Sequence, residues 1–249
     1  MNLLSGVVIT LNEESHIQAC IQSLQSVTSE VIVIDTGSCD RTIHLAKEAG
    51  ATVYRIPWKG YGYSKNYGNE KAANDWILSI DADEVIGPQL QDSISKLIPR
   101  DGNVYLITPL IWFENRWIKH SGWYPKYKIR IFNKKMCAWD GAMVHENVII
   151  PPQWKKVRLR GDLLHYSSRS TFHYIRKINR YSRLKAQQWI EKGQSPGWGK
   201  RYLGGAFAWF TTYILKLGFL DGSQGKKIAW LAKYRNEKEI FYFDKAIKP

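Results

Sequence analysis

Four apolar segments in the first 80 residues alternate with segments of helical spacing, and this alternation constrains the fold more than any other feature of the chain. The segment 31–34 reads Val-Ile-Val-Ile, which is typical of a strand buried on both faces inside a parallel sheet. Parallel strands are joined through helices, so the pattern indicates a doubly wound α/β sheet. We predict strands at 3–10, 30–35, 51–56 and 76–80, and helices at 13–24, 40–50 and 63–73.

The pattern changes after residue 100. Further strands are predicted at 104–108, 128–133, 144–150 and 157–164, followed by helices at 170–192, 199–217 and 223–243. We therefore expect a sheet domain at 1–168, divided into halves at 1–110 and 111–168, and a helical extension at 169–249.

Charge is distributed unevenly between the two parts of the chain. Residues 1–110 contain eight Lys and Arg against 13 Asp and Glu, whereas residues 111–249 contain 28 against nine, a net charge of +19. A half with this excess of positive charge is expected to meet an anionic partner.

One predicted helix presents an arginine face. Arg176, Arg180 and Arg183 fall on one side of the helix at 170–192 when residues advance by about 100° each. No Asp or Glu occurs from 163 to 190 that would pair with them. We expect this face to bind an acceptor phosphate or an anionic membrane, although a solvated helix packed on the domain is the alternative.

The segment 198–220 has an aromatic, apolar middle with Lys200 and Arg201 at one end and Lys216 at the other. This pattern favours a helix lying in the interface of an anionic membrane. Nucleic acid also selects basic and aromatic residues together, but no nucleic-acid recognition motif is present; plain core packing is the third reading. No run of 18 purely apolar residues occurs, so a spanning helix is not expected.

The three cysteines show no CxxC spacing. This usage is typical of a reducing compartment. With no secretory signal at the N-terminus, we predict a cytoplasmic protein, peripheral to the membrane.

Polar residues follow three of the predicted strands, where ligands of open α/β sheets bind. Asp81 and Asp83, on either side of Ala82, are suited to hold Mg²⁺ or Mn²⁺ together with a phosphorylated ligand; solvated acids at a turn are the alternative. Asp35 is suited to accept the imide N–H of a uracil ring, or to cap a helix. The first strand ends in Thr10, Leu11, Asn12 and Glu13, of which the last two either cap the next helix or contact the ligand.

Four further residues are candidates for the same site. Lys65 is placed to reach a diphosphate, or is simply solvated. Glu146 is our candidate general base for an attacking hydroxyl, with Asp140 in reserve and an ordinary ion pair as the alternative. His165 is expected to ligate the metal or touch a phosphate, unless it only makes structural hydrogen bonds.

Several segments together resemble family 2 glycosyltransferases of the GT-A fold, most closely the bacterial lipopolysaccharide core β-1,4-glucosyltransferases. Those that carry the resemblance are 7–14 (VVITLNEE), 33–42 (VIDTGSCDRT), 76–84 (WILSIDADE), Arg130-Ile131-Phe132, His145-Glu146 and 218–222 (GFLDG).

The resemblance implies a GT-A, Rossmann-like mixed sheet at 1–168 and an inverting, metal-dependent hexosyltransferase that uses a UDP-sugar, with glucose as the expected sugar. It implies that Thr10 to Glu13 and Asp35 bind the nucleotide, that Asp81 lies near the ribose or sugar, and that Asp83 binds Mg²⁺ or Mn²⁺. The acceptor would be a phosphorylated, lipid-linked oligosaccharide of the lipopolysaccharide inner core. No Gln-x-x-Arg-Trp motif occurs, so addition of a single sugar is expected.

Two other readings stay open. One is a family 2 transferase with another sugar or another lipid-linked acceptor. The other is a non-catalytic module that binds a nucleotide sugar or a nucleic acid.

Overall fold

The computed structural model describes residues 4–143, 146–166 and 170–247. The chain forms two compact units: residues 1–109 with 126–166, and residues 110–125 with 167–249. The strands are β1 (Leu4–Thr10), β2 (Glu30–Asp35), β3 (Thr52–Arg55), β4 (Trp76–Asp81), β5 (Glu84–Ile86), β6 (Asn103–Phe113), β7 (Arg116–Ile118), β8 (Lys128–Asn133), β9 (Ala138–Trp139), β10 (Val148–Ile149) and β11 (Lys155–His165). The α-helices are α1 (Ile17–Gln25), α2 (Thr42–Glu48), α3 (Tyr61–Lys71), α4 (Pro88–Ser95), α5 (Thr171–Glu191), α6 (Trp198–Tyr202), α7 (Gly204–Phe210) and α8 (Gly222–Ile247).

The first unit is built on a mixed sheet. Its strand order is β3-β2-β1-β4-β8-β6-β11-β5, with β3, β2, β1 and β4 parallel and β8 antiparallel to β4. Every residue of β1 is buried because this strand has parallel neighbours on both sides and helices over the sheet. The predicted fold class, a mixed α/β sheet flanked by helices with a helical C-terminal part, is confirmed.

Helix α3 packs closely on the sheet although it contains few apolar residues. A Cβ atom at Gly68 would lie 2.5 Å from Cγ1 of Val7 and 3.0 Å from Cγ1 of Ile34. The helix backbone therefore approaches β1 and β2 at a distance that a larger residue would prevent. This close approach carries Lys65, one turn earlier, to the sheet.

Several predicted boundaries differ from the structure. The helix expected from residue 13 begins at Ile17, because the backbone N–H groups of residues 12–14 bond to side chains in the loop after β2 and at the start of α2. The strand expected at 144–150 is reduced to β10, with residues 144 and 145 outside the described residues. The helix expected at 199–217 is broken into α6, α7 and a π-helical turn (Thr211–Leu215). Strands β5, β7 and β9 were not predicted, because two or three residues are too few to show a period; helix α4 was not predicted either.

In the second unit, α5 packs along α8, and β7 pairs with the end of β6. Its core contains Phe113, Ile118, Ile178, Ile228 and Leu231. No helix within the described residues combines the length and the apolar character that crossing a membrane requires. The domain division at residue 168 stays a prediction.

Asp221 is a buried anchor of this unit. Its carboxylate accepts hydrogen bonds from the backbone N–H groups of Lys119 (3.0 Å) and His120 (3.1 Å) and from Oγ of Ser121 (2.8 Å). The segment after β7 is thereby tied to the start of α8. This contact gives a structural reason for the acidic residue in the motif at 218–222.

Glu114, in the turn between β6 and β7, caps α5 from elsewhere in the chain. Its Oε1 accepts hydrogen bonds from the backbone N–H (2.9 Å) and Oγ1 (2.5 Å) of Thr171, and its Oε2 pairs with Lys227 of α8. Burial opposes the charged form, but the hydrogen bonds from Lys227 and Thr171 outweigh it and hold the pKa of Glu114 below its usual range.

We expect Glu114→Gln to lower the free energy of unfolding by about 1–2 kcal/mol at pH 7, as the loss of a charge-assisted hydrogen bond does. A carboxylate whose folded pKa is lowered stabilises the protein above its unfolded pKa and loses that effect as the pH falls. The difference between wild type and variant should therefore shrink below about pH 4. Urea unfolding of both proteins at a series of pH values measures it; a difference that grows on acidification contradicts this assignment.

Candidate active site

The register of the parallel strands brings three polar clusters to one edge of the sheet. Thr10 pairs with Asp35 across β1 and β2, and Ile9 pairs with Asp81 across β1 and β4. All three strands end there at their carboxyl ends, where ligands of α/β sheets bind.

The loops after β1 and β2 are bonded to each other. Asn12, in a left-handed conformation (φ 55°), donates its N–H to Oγ of Ser38 (2.8 Å) and accepts the N–H of Cys39 at Oδ1 (2.9 Å). The N–H of Glu13 is donated to Oγ1 of Thr42 (2.8 Å). The side chain of Asn12 therefore fixes the loop after β2 and does not cap α1. Leu11 lies exposed on this surface.

Asp35 is completely buried, and only one of its carboxylate oxygens is used within the described residues. Oδ1 accepts the N–H groups of Gly37 and Ser38, both at 3.0 Å, and lies 3.8 Å from Nε of Arg55. Oδ2 has no hydrogen-bond partner among the residues that the structure describes, and neither has Oγ1 of the adjacent Thr10. A buried acceptor without a donor is costly, so this corner of the site is suited to a ligand N–H.

Lys65 is a buried cation and not a solvated one. Its side chain is 3% exposed, and Nζ lies 3.2 Å from Oδ1 of Asp81 and 2.7 Å from Oε1 of Glu146. The ring of Trp139 lies 4.4 Å from the ammonium group. Lys65 thus joins the end of β4 to the segment that contains Glu146. Glu146 therefore forms an ion pair with Lys65, which is the alternative that the sequence left open beside its role as general base.

Arg130 and Glu84 complete this charge cluster, although neither was predicted to be a site residue. The Arg130 guanidinium lies 2.5 Å from Oε1 of Glu84 and 3.4 Å from Oδ2 of Asp81. Burial works against charge on Asp81, but Lys65 and Arg130 outweigh it and hold the pKa of Asp81 far below its usual range. Burial raises the pKa of Glu84. The sequence feature that could have indicated this cluster is the position of Arg130 between two isoleucines of the predicted strand β8.

Within the described residues, Asp83 forms an ion pair with His165 and none with Lys65 or Arg130. Its Oδ2 is 3.0 Å from Nε2 of His165, and its backbone carbonyl accepts the N–H of Tyr166 (2.9 Å). The antiparallel register of β5 and β11, which pairs Glu84 with His165, brings the imidazole there. Burial would lower the pKa of His165, but the hydrogen bond and the charge of Asp83 raise it.

The donor set at Asp83 fits a cation that is shared with a phosphorylated ligand. Mg²⁺ usually binds through one or two carboxylates, several waters and phosphate oxygens. Within the described residues no group of three His, Cys, Asp or Glu side chains forms a closed metal cage. Both oxygens of Asp81 face Lys65 and Arg130, whereas the only ion pair of Asp83 within the described residues is with His165. Ala82 is buried between the two aspartates.

Asp140 lies in a turn, where its Oδ1 accepts the N–H of Ala142 (3.3 Å). His145, which precedes Glu146 in the sequence and belongs to the same motif, lies outside the described residues.

In the second unit, the three predicted arginines line one surface groove of α5. Arg176 lies over the ring of Phe172 at 4.4 Å, and Arg183 lies over the ring of Tyr242 at 4.9 Å. Among the described residues no carboxylate forms an ion pair with Arg176, Arg180 or Arg183, so their charge is not neutralised there. The remaining lining residues of the groove are Asn179, Leu184 and Gln187.

We expect Arg130→Met to lower the free energy of unfolding by about 3–5 kcal/mol, because it leaves Glu84 buried without its cation. Thermal or urea unfolding measures the loss. The double variant Arg130→Met/Glu84→Leu removes both charges and should recover much of the stability. Equal losses in the single and double variants would contradict the pairing as the cause.

The glycosyl transferase family 2 model matches residues 5–146. An uncharacterized glycosyltransferase of Rickettsia typhi is 34% identical over 206 residues, which are 78% of this chain and 70% of that protein. The lipopolysaccharide core biosynthesis glycosyltransferase LpsC of Rhizobium meliloti is 29% identical over 234 residues, 88% of this chain and 82% of that protein.

Among solved structures, glucosyl-3-phosphoglycerate synthase from Mycobacterium tuberculosis, in complex with Mn²⁺, UDP and glucosyl-3-phosphoglycerate, is 26% identical with a TM-score of 0.37. The match covers 44% of each chain, so this chain spans less than half of that enzyme. The family match extends over more than half of the present chain and includes all three strand-end clusters. The chain therefore belongs to glycosyl transferase family 2, and it is similar to a lipopolysaccharide core glycosyltransferase.

Proposed function

We propose that this chain is a metal-dependent, inverting hexosyltransferase that moves a sugar from a UDP-sugar to the lipopolysaccharide inner core. Glucose is the proposed sugar, and the cytoplasmic face of the inner membrane is the proposed location. The observation that supports the donor site is the buried Oδ2 of Asp35, which has no hydrogen-bond partner among the described residues and lies at the sheet edge where β4 ends, two residues before Asp83. Similarity to LpsC, described as a lipopolysaccharide core biosynthesis glycosyltransferase, supports the acceptor.

In the proposed donor site, Oδ2 of Asp35 accepts the imide N–H of uracil, and the loop from Thr10 to Glu13 lines the nucleotide. Asp81 and Ala82 lie on the ribose and sugar side. Lys65 has three N–H donors, and two of them are engaged by Asp81 and Glu146. The third is proposed for the diphosphate.

Asp83, with His165, is proposed to hold Mg²⁺ or Mn²⁺. When bound, the cation supplies Lewis-acid chemistry that offsets charge on a departing diphosphate. Asp83 is suited to this because, in the part of the chain that the structure describes, its carboxylate is not shared between Lys65 and Arg130 as that of Asp81 is.

Glu146 is proposed to take the proton of the acceptor hydroxyl as that oxygen attacks the anomeric carbon on the face opposite the leaving group. Inversion at that carbon follows from a single displacement. The contact with Lys65 holds the carboxylate in place. Asp140 remains the second candidate for the base.

The arginine groove of α5 is proposed to bind phosphate groups of the acceptor. Arginine forks match phosphate oxygens in pairs, and Arg176, Arg180 and Arg183 have no acidic partner among the described residues. An acceptor anchored in lipid would bring the enzyme to an anionic membrane surface.

A transfer assay tests this function. UDP-glucose, UDP-galactose and GDP-mannose are each supplied with a lipid-linked inner-core acceptor, intact or enzymatically dephosphorylated. We expect transfer from a UDP-sugar, faster to the phosphorylated acceptor, with a β-linkage in the product by NMR. Absence of transfer from every donor would indicate a binding module instead, and an α-linked product would exclude the inverting mechanism.

A further inference from the structure

The segment from α7 through the π-helical turn exposes a continuous apolar face. Leu203, Phe207, Phe210 and Ile214 follow one another at intervals of four, three and four residues, and are between 39% and 65% exposed. We call these four residues the outer face. The 14 residues from 202 to 215 contain no charged side chain.

The opposite side of the same segment is made of small residues that contact α8. A Cβ atom at Gly204 would lie 2.8 Å from the side-chain amide of Asn236, and Gly205 is buried against Lys233 and Glu237. Thr212, seven residues further on, is also buried. The helix therefore presents its small residues to the protein and its large apolar residues away from α8, the reverse of an ordinary surface helix.

Leaving this face in water is unfavourable. Burial of one Leu, Ile or Phe side chain changes a partition equilibrium by roughly tenfold or more, and a contiguous exposed apolar patch usually marks an interaction surface. The segment is too short to cross a bilayer, since 14 helical residues extend about 21 Å against a hydrocarbon thickness of about 30 Å.

Charge identifies the class of partner. The second unit contains 19 Lys and Arg against six Asp and Glu, a net charge of +13. Two copies of such a unit repel each other, whereas an anionic surface attracts them. The exposed aromatic rings of Trp198 and Tyr202 lie at one end of the segment, and such rings favour the headgroup region of a membrane.

We propose that residues 203–215 insert in the plane of an anionic bilayer, with the outer face in the boundary between headgroups and acyl chains. The inference deepens the proposed function, on whose lipid-linked acceptor it rests, by assigning the membrane contact to particular residues. Membrane binding is measured without donor or acceptor, so its failure is distinct from failure of sugar transfer.

An environment-sensitive fluorophore tests insertion directly. In a Cys39→Ser background, whose other cysteines are buried, the label is attached through Phe207→Cys or, as a control in the first unit, through the exposed Ile98→Cys. We expect a blue shift and a rise in emission at position 207 on adding phosphatidylcholine vesicles that contain phosphatidylglycerol, and neither at position 98. No change at 207, or equal changes at both positions, would overturn the proposal.

Co-sedimentation with the same vesicles supplies the second measurement. Phe207→Ser/Phe210→Ser should weaken partitioning by roughly tenfold or more, while Ile98→Ser leaves it unchanged and both variants bind UDP as the wild type does. Light scattering of the wild type should give a monomer without vesicles. A dimer that the double substitution dissociates, with no vesicle binding, would show that a second copy covers the outer face and would refute the proposal.

Discussion

Replacement of Asp83 by Asn is expected to lower the rate of sugar transfer by about 10²- to 10³-fold. The amide keeps the shape of the side chain and its contact with His165, but it removes the negative charge that a hard divalent cation requires. Loss of that charge stabilisation removes several kcal/mol from the barrier reduction. The measurement is steady-state transfer at saturating UDP-sugar over a range of Mn²⁺ concentrations.

Asp92→Asn is the matched control for this substitution. Asp92 lies exposed on α4 and pairs only with Lys96 among the described residues, so its loss should leave transfer unchanged. Transfer by Asp83→Asn at the wild-type rate and with the wild-type Mn²⁺ dependence would remove Asp83 from the metal site.

Glu146→Gln is expected to lower turnover by about 10²- to 10⁴-fold, the range that a general base contributes, while UDP binding is retained. Glutamine still offers Lys65 an oxygen acceptor, so the 2.7 Å contact and the position of the side chain are kept. Only the ability to take a proton is lost. Single-turnover transfer, with donor affinity measured separately, distinguishes the two effects.

Asp140→Asn serves as the comparison, because Asp140 is the second candidate for the same role. We expect its turnover to fall less than threefold, about 0.6 kcal/mol in the barrier. Normal turnover in Glu146→Gln together with a large loss in Asp140→Asn would transfer the role to Asp140.

The sheet was predictable from sequence because its signals are local. The apolar run in β2 and the helical spacing of α5 are properties of neighbouring residues, and both elements agree with their predicted bounds within one residue. The start of α1 was predicted four residues too early, since the backbone N–H groups of residues 12–14 bond to side chains 26 to 29 residues further along the chain. A contact between residues so far apart does not change the spacing of apolar residues, which is the pattern used to predict helices.

The contacts between distant residues in the charge cluster around Asp81 were likewise not predictable from sequence. The strand-end aspartates were predictable, because carboxyl ends of parallel strands meet at one edge. The pairing of Arg130 with Glu84 depends on the register of β8 beside β4, which pairs Ile131 with Leu78. Lys65 was expected to reach the ligand, but its burial between Asp81 and Glu146 follows from the close packing of α3 on the sheet.

Calorimetric titration of UDP, GDP and ADP, each with and without Mn²⁺, tests the central claim most directly. We predict that UDP binds most tightly, that Mn²⁺ strengthens its binding, and that Asp83→Ala abolishes the effect of Mn²⁺. If no nucleotide binds under any of these conditions, the sheet edge that holds Asp35 and Asp83 is not a donor site, and the proposed transfer reaction is wrong.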